Sequence, residues 1–382
     1  MDRIVVVGAA AAGLTAAETL RREGFEKQIT LVGDELHLPY DRPPLSKQVL
    51  SGAWETDRIA LRKDSVYTES DIGVRLGVRA TGLDTSSQVV QLASGDSLHY
   101  DGLIIATGVR PRLLPFGHDL TGVYVMRTLD DAVSLKKALA SSSRLVVVGA
   151  GFLGCEAAAS ARRLGLDVTL VDPLPQPMVR QFGPMIGGLV SSLHTAEGVS
   201  VRTGVGVSSF QGSSHVTGVV LSDGTVLDAD VVLVAIGAEP ATDWLSGSGL
   251  VLDNGIVCDA YCRAAPGVYA AGDVASWHHQ GYAEQMRVEH RMNATEQGMA
   301  AARNLLGASV PFCPIPYFWT DQYDTKIAAF GLLTGDVTVT EGTPESGKFM
   351  AHYTREGKLV GVLSWNMPRE LRKARALLMQ TG

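Results

Sequence analysis

The sequence of 382 residues predicts an α/β protein with two nested Rossmann-like halves and a small C-terminal α+β domain. Three landmarks recur in the same order in both halves: a strand with a glycine-rich turn, a second strand, and a strand that ends in glycine. They lie at residues 4–13, 29–32 and 103–108 in the first half and at 145–154, 168–171 and 232–237 in the second. Gly/Asp turns near 95–96 and 223–224 add a predicted β-meander to each half. The pattern indicates an internal duplication built on βαβ units.

The halves are nested because a further strand at 267–271, ending in Gly272 and Asp273, and a helix at about 293–306 follow the second half. From about residue 311 the chain changes to aromatic and β-branched residues with short polar turns, which is typical of a separate small domain. The predicted domains are 1–108 with 238–308, then 109–237, and finally 309–382.

Composition restricts the class of protein. A hydrophobic fraction of 46% and a charged fraction of 19% are typical of globular proteins, and a net charge of −7 argues against nucleic-acid binding. No apolar run reaches the ~18 residues that cross a bilayer, so we expect no membrane partner. We also predict no metal site. The cysteines are too few for a disulfide scaffold and favour a reducing, cytoplasmic compartment. They are Cys155, Cys258, Cys262 and Cys313.

The second glycine-rich turn is a complete G-x-G-x-x-G motif. Such a turn brings backbone amides and a helix N-terminus to a pyrophosphate. Asp172 ends the next strand, where its carboxylate would accept hydrogen bonds from ribose hydroxyls. No arginine follows to receive a 2′-phosphate, so NADH is the predicted ligand. Asp172 is also suited to capping a turn before Pro173. The predicted NADH-binding residues are Gly149, Gly151, Phe152, Leu153, Gly154, Asp172, Arg180, Ile236 and Gly237.

The first glycine-rich turn departs from the motif. Gly8 and Gly13 are present, but Ala10 replaces the middle glycine. Because this turn opens the N-terminal half of a duplication, FAD is the better assignment. Either Asp34 or Glu35, expected at the end of the next strand, would hold the adenosine ribose.

Two further segments each have a functional and a structural interpretation. Asp273 follows a strand and a glycine, which suits a carboxylate that binds a ribityl chain, or alternatively a helix N-cap. Arg42 and Lys47 lie in the segment Pro-Tyr-Asp-Arg-Pro-Pro-Leu-Ser-Lys at 39–47. They are either surface charges on a stiff loop or side chains that the adjacent prolines hold beside a flat cofactor.

The 39–47 segment resembles the signature of NADH-dependent ferredoxin reductases of bacterial oxygenase systems, which belong to the FAD-dependent pyridine nucleotide-disulfide oxidoreductases. Four more segments agree: Ala-Thr-Gly at 106–108, Arg-Thr-Leu-Asp-Asp at 127–131, Gly-Asp at 272–273 and Tyr-Phe-Trp-Thr-Asp-Gln-Tyr-Asp at 317–324. The resemblance runs nearly end to end. It implies a glutathione-reductase-like fold and favours Asp34 over Glu35 for the ribose.

The resemblance also implies site residues. Lys47 would lie beside the flavin and pair with Glu156, and these two are the predicted catalytic residues. Trp319 would lie close to the flavin. At Arg291, the entry to a helix, only a backbone contact carries over. The predicted FAD-binding residues are Gly8, Ala11, Ala12, Gly13, Asp34, Glu35, Arg42, Pro43, Lys47, Ala80, Ala106, Thr107, Gly108, Arg127, Gly272, Asp273, His290, Arg291 and Trp319.

The cysteine spacing favours a ferredoxin reductase over a disulfide reductase, since the chain has neither C-x-x-C nor C-x4-C. We expect all four cysteines to be buried small residues. FAD would take a hydride from NADH and pass electrons singly to a two-iron two-sulfur ferredoxin that feeds a monooxygenase or dioxygenase. Alternatives are a rubredoxin reductase, an NADH oxidase or quinone reductase, and a non-enzymatic redox sensor.

A basic cluster near the C-terminus is the first candidate for docking an acidic ferredoxin, and Arg287 with Arg291 is the second. The alternative for the C-terminal cluster is an ordinary solvated helix face. Its members are Arg369, Arg372, Lys373 and Arg375.

Overall fold

The computed structural model describes residues 1–380. The chain folds as two compact units. The first consists of residues 1–41, 59–110 and 239–316, and the second of 42–58, 111–238 and 317–382. The loop at 42–58 thus folds with the second unit. Within residues 1–380, no helix is both long and apolar enough to cross a membrane.

The strands are numbered in chain order. Those up to residue 111 are β1 (Arg3–Val7), β2 (Gln28–Val32), β3 (Ile72–Arg75), β4 (Ala80–Asp84), β5 (Val89–Leu92), β6 (Ser97–His99), β7 (Gly102–Ile105) and β8 (Val109–Pro111). Those up to residue 240 are β9 (Val123–Tyr124), β10 (Arg144–Val148), β11 (Asp167–Asp172), β12 (Ser200–Thr203), β13 (Val207–Gly212), β14 (Val216–Leu221), β15 (Val226–Asp228), β16 (Val231–Val234) and β17 (Ala238–Pro240). The later strands are β18 (Ile256–Cys258), β19 (Arg263–Ala265), β20 (Val268–Ala270), β21 (Ala275–His279), β22 (Glu284–Met286), β23 (Tyr317–Gln322), β24 (Thr325–Gly331), β25 (Asp336–Thr343), β26 (Lys348–Arg355) and β27 (Lys358–Trp365).

The helices connect these strands. They are α1 (Ala11–Arg22), α2 (Asp64–Glu69), α3 (Leu129–Leu139), α4 (Phe152–Arg163), α5 (Val179–Ala196), α6 (Arg291–Leu305) and α7 (Pro368–Gln380). Helix α5 is kinked at Gly183, which precedes Pro184. A π-helical turn spans Leu45–Val49, and 3-10 turns span Thr56–Ile59, Asp243–Leu245, Gly272–Val274 and Pro344–Ser346.

The first unit is built on a six-stranded sheet of order β19-β20-β7-β1-β2-β3. Its strands are parallel except for the pair β19 and β20. The apolar run of β1 is buried from Ile4 to Val7, as expected of a parallel strand covered on both faces. Val7 lies opposite Val32 of β2 and Ile105 of β7, so these three strands end together just before α1 begins.

The second unit repeats this arrangement in a parallel five-stranded sheet of order β12-β11-β10-β16-β9. Val148 lies opposite Val171 of β11 and Val234 of β16, just before α4 begins. Each unit also has a three-stranded meander, β4-β5-β6 in the first and β13-β14-β15 in the second. The predicted duplication is therefore confirmed, including the turns between β5 and β6 and between β14 and β15.

The C-terminal part of the second unit is a five-stranded antiparallel sheet of order β23-β24-β27-β26-β25, followed by α7. Helix α7 packs on β24 and β27 through the buried side chains of Leu371, Ala374 and Leu378. This α+β architecture matches the prediction. The division of the whole chain into three domains stays a prediction.

Candidate functional site

The two glycine-rich turns have nearly the same backbone. Gly8 has φ +117°, and a Cβ placed on it would lie 2.1 Å from the carbonyl oxygen of Ala106. Gly149 has φ +105°, and its Cβ would lie 2.3 Å from the carbonyl oxygen of Ala235. Only glycine fits at either position, because an added methyl group would collide with backbone.

The helix after each turn begins in close contact with it. A Cβ on Gly13 would lie 1.9 Å from the Gly8 carbonyl oxygen, and a Cβ on Gly154 would lie 1.8 Å from that of Gly149. At the middle position, Ala10 has φ −128° and ψ −161°, an extended conformation open to alanine. The alanine that breaks the first motif therefore leaves the backbone of the turn intact.

Several helices in the described part of the chain begin without a side-chain cap, and three of them matter for ligand binding. Helices α1, α4 and α6 have no capping hydrogen bond from a side chain and no acidic residue in the first turn. Helix α3, in contrast, has a full capping box between Thr128 and Asp131. Uncapped amides at the positive end of a helix suit an anion, so the starts of α1 and α4, each behind a glycine turn, fit the pyrophosphates of two dinucleotides.

The predicted contacts around the first turn lie at the ends of its strands. Ala11 and Ala12 form the start of α1, Ala80 is the first residue of β4, and Ala106 directly follows β7. The Thr107 hydroxyl donates a hydrogen bond to the Ala241 carbonyl oxygen at 3.1 Å. Gly108 has φ +68°.

The two acidic residues after β2, Asp34 and Glu35, differ in their surroundings. The strand ends at Val32, so Asp34 and Glu35 lie in the following turn and do not end the strand as expected. The Glu35 carboxylate accepts a hydrogen bond from the Tyr40 hydroxyl at 2.5 Å. Asp34 is exposed, and its assignment to the ribose stays a prediction.

Asp172 ends β11, as predicted, and its carboxylate accepts hydrogen bonds from two backbone amides. One carboxylate oxygen accepts the Ala150 amide at 2.7 Å, and the other accepts the Leu174 amide at 2.8 Å. The first bond ties the second glycine turn to the strand. Since a carboxylate oxygen has more than one lone pair, these bonds leave acceptor capacity for a ribose.

The other predicted NADH contacts surround this turn. Phe152 and Leu153 begin α4, and the Phe152 ring packs edge-on against Phe182 and Phe318. Arg180 is exposed on α5. Ile236 and Gly237 follow β16.

Asp273 lies in the 3-10 turn Gly272–Val274, and the N-cap of α6 is His290. The helix N-cap interpretation of Asp273 is therefore wrong. Gly272 has φ +78°, and its amide donates to the Gln297 side-chain oxygen at 2.9 Å. Burial lowers the pKa of His290 to about 4, against the opposing effect of the Asp273 carboxylate, so the imidazole is neutral at neutral pH.

Arg287 and Arg291 do not form a free basic patch. The Arg291 guanidinium contacts Asp41 and Thr295, and Arg287 binds Glu289 and the Asp273 carbonyl. Both side chains are thus engaged inside the first unit, and the second docking candidate stays a prediction.

Lys47 and Glu156 form the expected ion pair. Lys47 Nζ lies 3.0 Å from Glu156 Oε1, and their side chains are only 10% and 8% exposed. The surface-charge interpretation of Lys47 is therefore wrong. The Ser46 hydroxyl donates to the other oxygen of Glu156 at 2.5 Å, and Ser160 on α4 donates to the Ser46 carbonyl at 2.7 Å.

The π-helical turn Leu45–Val49 explains how two adjacent residues reach one carboxylate. The Val49 amide donates to the Pro44 carbonyl at 2.9 Å, the long span that defines a π turn. Such turns are frequent at functional sites. Next to this turn, Pro43 is half-buried, and the Arg42 guanidinium donates to the Arg127 carbonyl at 2.6 Å.

Trp319 lies on β23, half-buried, with its ring stacked on Tyr317 at 5.9 Å between centroids. Its expected place beside the flavin stays a prediction.

The cysteines are free thiols. Burial raises the pKa values of Cys155 and Cys262, and raises that of Cys258 to about 12. These three are inert small residues, as expected. Cys313 is exposed, so the expectation that all four are buried is wrong for it. In the described part of the chain, no three His, Cys, Asp or Glu side chains are grouped as a metal site.

Sequence reasoning missed several polar residues around Glu156. The Thr320 hydroxyl donates to Glu156 Oε1 at 2.8 Å. The Gln322 side chain in turn forms hydrogen bonds with Thr320 and with His194. A signal was present, because Thr320 and Gln322 are two residues apart on β23 and so share one face. Their side chains are fully buried.

The basic cluster on α7 is exposed, whereas Leu371 and Ala374 of the same helix are buried. Arg369, Arg372 and Lys373 are exposed. Arg375 is exposed too, and its guanidinium lies 5.3 Å from the centre of the Phe330 ring.

Comparisons with known proteins agree with this geometry. The family model described as pyridine nucleotide-disulphide oxidoreductase matches residues 2–298, and that described as reductase C-terminal matches residues 317–382. Rhodocoxin reductase from Rhodococcus erythropolis is 40% identical over 379 residues, covering 98% of this chain and 89% of the relative. The benzene 1,2-dioxygenase system ferredoxin–NAD(+) reductase subunit from Pseudomonas putida is 36% identical over 381 residues, covering 99% and 92%.

A solved structure of the covalent putidaredoxin reductase–putidaredoxin complex matches with a TM-score of 0.95 and 34% identity, covering 100% of this chain and 93% of that chain. The chain therefore belongs to the pyridine nucleotide-disulphide oxidoreductase family and, within it, to the ferredoxin reductases of oxygenase systems.

Proposed function

We propose that the chain is an NADH-dependent ferredoxin reductase. It takes a hydride from NADH onto FAD and passes electrons singly to a two-iron two-sulfur ferredoxin, which feeds a monooxygenase or dioxygenase. The observation that carries the proposal is the buried Lys47–Glu156 ion pair, which joins the proline-rich loop to the helix of the second dinucleotide turn. The relatives' names, a rhodocoxin reductase and a dioxygenase-system ferredoxin reductase, support it.

The first unit holds FAD. The Gly8 turn and the start of α1 would face its pyrophosphate, Asp34 its ribose and Asp273 its ribityl chain. When bound, FAD supplies the chemistry that converts a two-electron hydride transfer into single-electron transfers. The uncapped start of α6 at Arg291 would stabilise the negative charge of the reduced ring.

The second unit holds NADH at the Gly149 turn. The start of α4 would face the pyrophosphate, and Glu156 lies two residues after Gly154 on the same helix. Lys47, fixed by Glu156, would orient the nicotinamide.

Replacing Asp172 with alanine is expected to lower kcat/KM for NADH by about 100-fold, because the ribose loses a charged acceptor and the turn loses its Ala150 anchor. The value of kcat/KM for NADPH should fall less, because the Asp172 carboxylate repels the 2′-phosphate of NADPH in the native protein. Steady-state kinetics with both nucleotides measure the ratio. Asp167→Ala, at the exposed start of the same strand, is the matched control. An unchanged preference for NADH in Asp172→Ala contradicts the assignment.

Electrons would leave directly from the flavin. Within residues 1–380 the cysteines are free, and burial keeps the thiols of Cys155, Cys258 and Cys262 protonated. A dithiol relay therefore has no support in this chain, in spite of the family's name.

The exposed basic face of α7 is the proposed docking surface for an acidic ferredoxin. Reversing two charges, Arg372→Glu with Lys373→Glu, is expected to slow ferredoxin-mediated cytochrome c reduction about tenfold at low ionic strength. It should also remove most of the salt dependence, since steering by charges is screened by salt. Ferricyanide reduction, which needs no docking surface, is the reference assay. A native rate that does not depend on salt contradicts this surface.

A comparison of electron acceptors tests the proposed function. NADH turnover is measured with a two-iron two-sulfur ferredoxin, a rubredoxin, a short-chain quinone and dioxygen. Preference for the ferredoxin supports the proposal. Preference for rubredoxin, for quinone or for dioxygen supports the corresponding alternative, and a long-lived NADH–flavin complex without turnover supports a redox sensor. A cytoplasmic location stays a prediction from the cysteine content.

A further inference from the structure

A chain of hydrogen bonds runs from Glu156 through the interior of the second unit. Thr320 Oγ1 lies 2.8 Å from Glu156 Oε1, and Gln322 Nε2 lies 3.3 Å from Thr320 Oγ1. His194 Nε2 lies 3.0 Å from Gln322 Oε1, and His194 Nδ1 lies 3.0 Å from the Tyr323 hydroxyl. We call Thr320, Gln322, His194 and Tyr323 the buried relay.

The relay joins two elements, and a third, α4, carries Glu156. Thr320 and Gln322 lie on β23, and Tyr323 follows that strand directly. His194 lies near the end of α5. Thr320, Gln322 and His194 are completely buried, whereas Tyr323 is half-buried beneath the Arg163 guanidinium, 6.0 Å from its ring centre. The relay therefore leads from the Lys47–Glu156 pair towards the protein surface.

The chemistry of the groups fixes the direction of every bond. The carboxylate of Glu156 can only accept, so the Thr320 hydroxyl donates to it. Thr320 Oγ1 must then accept from the amide nitrogen of Gln322. This turns Gln322 Oε1 towards His194, whose Nε2 carries the proton.

The last bond of the relay follows from the tautomer. With the proton on Nε2, His194 Nδ1 accepts from the Tyr323 hydroxyl. All four bonds thus donate towards Glu156. Burial lowers the pKa of His194 to about 4, so the imidazole stays neutral at neutral pH, as this arrangement requires.

We infer that the buried relay positions Glu156, and through it Lys47, for the reaction of NADH. Hydrogen bonds that point the same way polarise one another, so the relay strengthens the bond from Thr320 to Glu156. That bond and the one from Ser46 hold the carboxylate in one orientation while it binds the Lys47 ammonium. Thr320, Gln322 and His194 are positioning residues in this inference, which rests on the proposed function.

Paired variants of Thr320 test the role in catalysis. Thr320→Val keeps the shape but removes the hydroxyl, and flavin reduction at saturating NADH is expected to slow about tenfold. Thr320→Ser restores the hydroxyl and should bring the rate back to within about twofold of the native rate. The measurement is stopped-flow absorbance of the FAD-loaded protein over a range of NADH concentrations. Equal rates for the valine and serine variants would overturn the inference.

A double variant tests transmission along the relay. Gln322→Leu alone should slow reduction, since it removes the donor to Thr320. If Gln322 acts through Thr320, the double variant Thr320→Val with Gln322→Leu reduces no more slowly than the slower single variant. If the two substitutions instead slow flavin reduction independently, so that their effects multiply in the double variant, Gln322 does not act through Thr320 and transmission along the relay is overturned. Thermal melting of each variant checks that the fold is retained.

A measurement without NADH or turnover separates this inference from the proposed function. The ¹⁵N chemical shifts of His194 report its tautomer, and we expect neutral imidazole with the proton on Nε2 at pH 7 in the FAD-free and FAD-loaded protein. A proton on Nδ1 would overturn the direction of the relay. A native protein that NADH does not reduce would overturn the proposed function, whatever the tautomer.

Discussion

Replacing Lys47 with methionine is expected to slow flavin reduction by NADH by about 100-fold while FAD stays bound, because the charge beside the nicotinamide is lost. The methionine keeps an apolar side chain of similar length. Stopped-flow reduction at saturating NADH gives the rate, and the absorbance spectrum gives the FAD content.

The Lys47 variant should also be less stable. Glu156 would keep its buried charge without a cation beside it. Breaking a buried ion pair in this way lowers the free energy of unfolding by about 3–5 kcal/mol. The hydroxyls of Ser46 and Thr320 remain bound to the carboxylate and offset part of this cost. Lys137→Met makes the same chemical change at an exposed position of α3 and is the control. A reduction rate within twofold of native would remove Lys47 from the mechanism.

Replacing Gly154 with alanine is the second change with a large expected effect. Its methyl group would lie 1.8 Å from the Gly149 carbonyl oxygen, so α4 must move away from the turn. We expect a loss of about 3 kcal/mol in the free energy of unfolding and a more than tenfold weaker affinity for NADH. Denaturant titration and NADH titration measure these two effects.

Gly206 provides the matched control for Gly154. A Cβ there would meet nothing within 4 Å, so Gly206→Ala should change neither measurement. If Gly154→Ala also left both unchanged, the close contact of helix and turn would not be needed for NADH binding.

The fold could be predicted from the sequence because its signals are local. A run of β-branched residues ending at Gly8 or Gly149 indicates a buried strand and a turn that only glycine can make. The repeated order of these signals then fixed the duplicated architecture. The two meanders and the antiparallel C-terminal sheet followed from the same kind of pattern.

The site was predicted less completely because its contacts join distant parts of the chain. The Lys47–Glu156 pair came from a family resemblance, since nothing in the spacing brings residues 47 and 156 together. His194 was missed because a single histidine on a helix carries no signal until its partners are known. The exposure of Cys313 was missed for the same reason, since burial depends on tertiary packing and not on residue type alone.

The uncapped starts of α1, α4 and α6 have a thermodynamic consequence. A missing N-cap leaves a helix less stable by about 1 kcal/mol, and a dinucleotide that binds those amides supplies what a side chain would otherwise provide. By linkage, a ligand that binds only the folded chain stabilises it according to its concentration relative to its dissociation constant. FAD and NADH, bound at these turns as proposed, would then contribute to the folding free energy as well as to the redox chemistry.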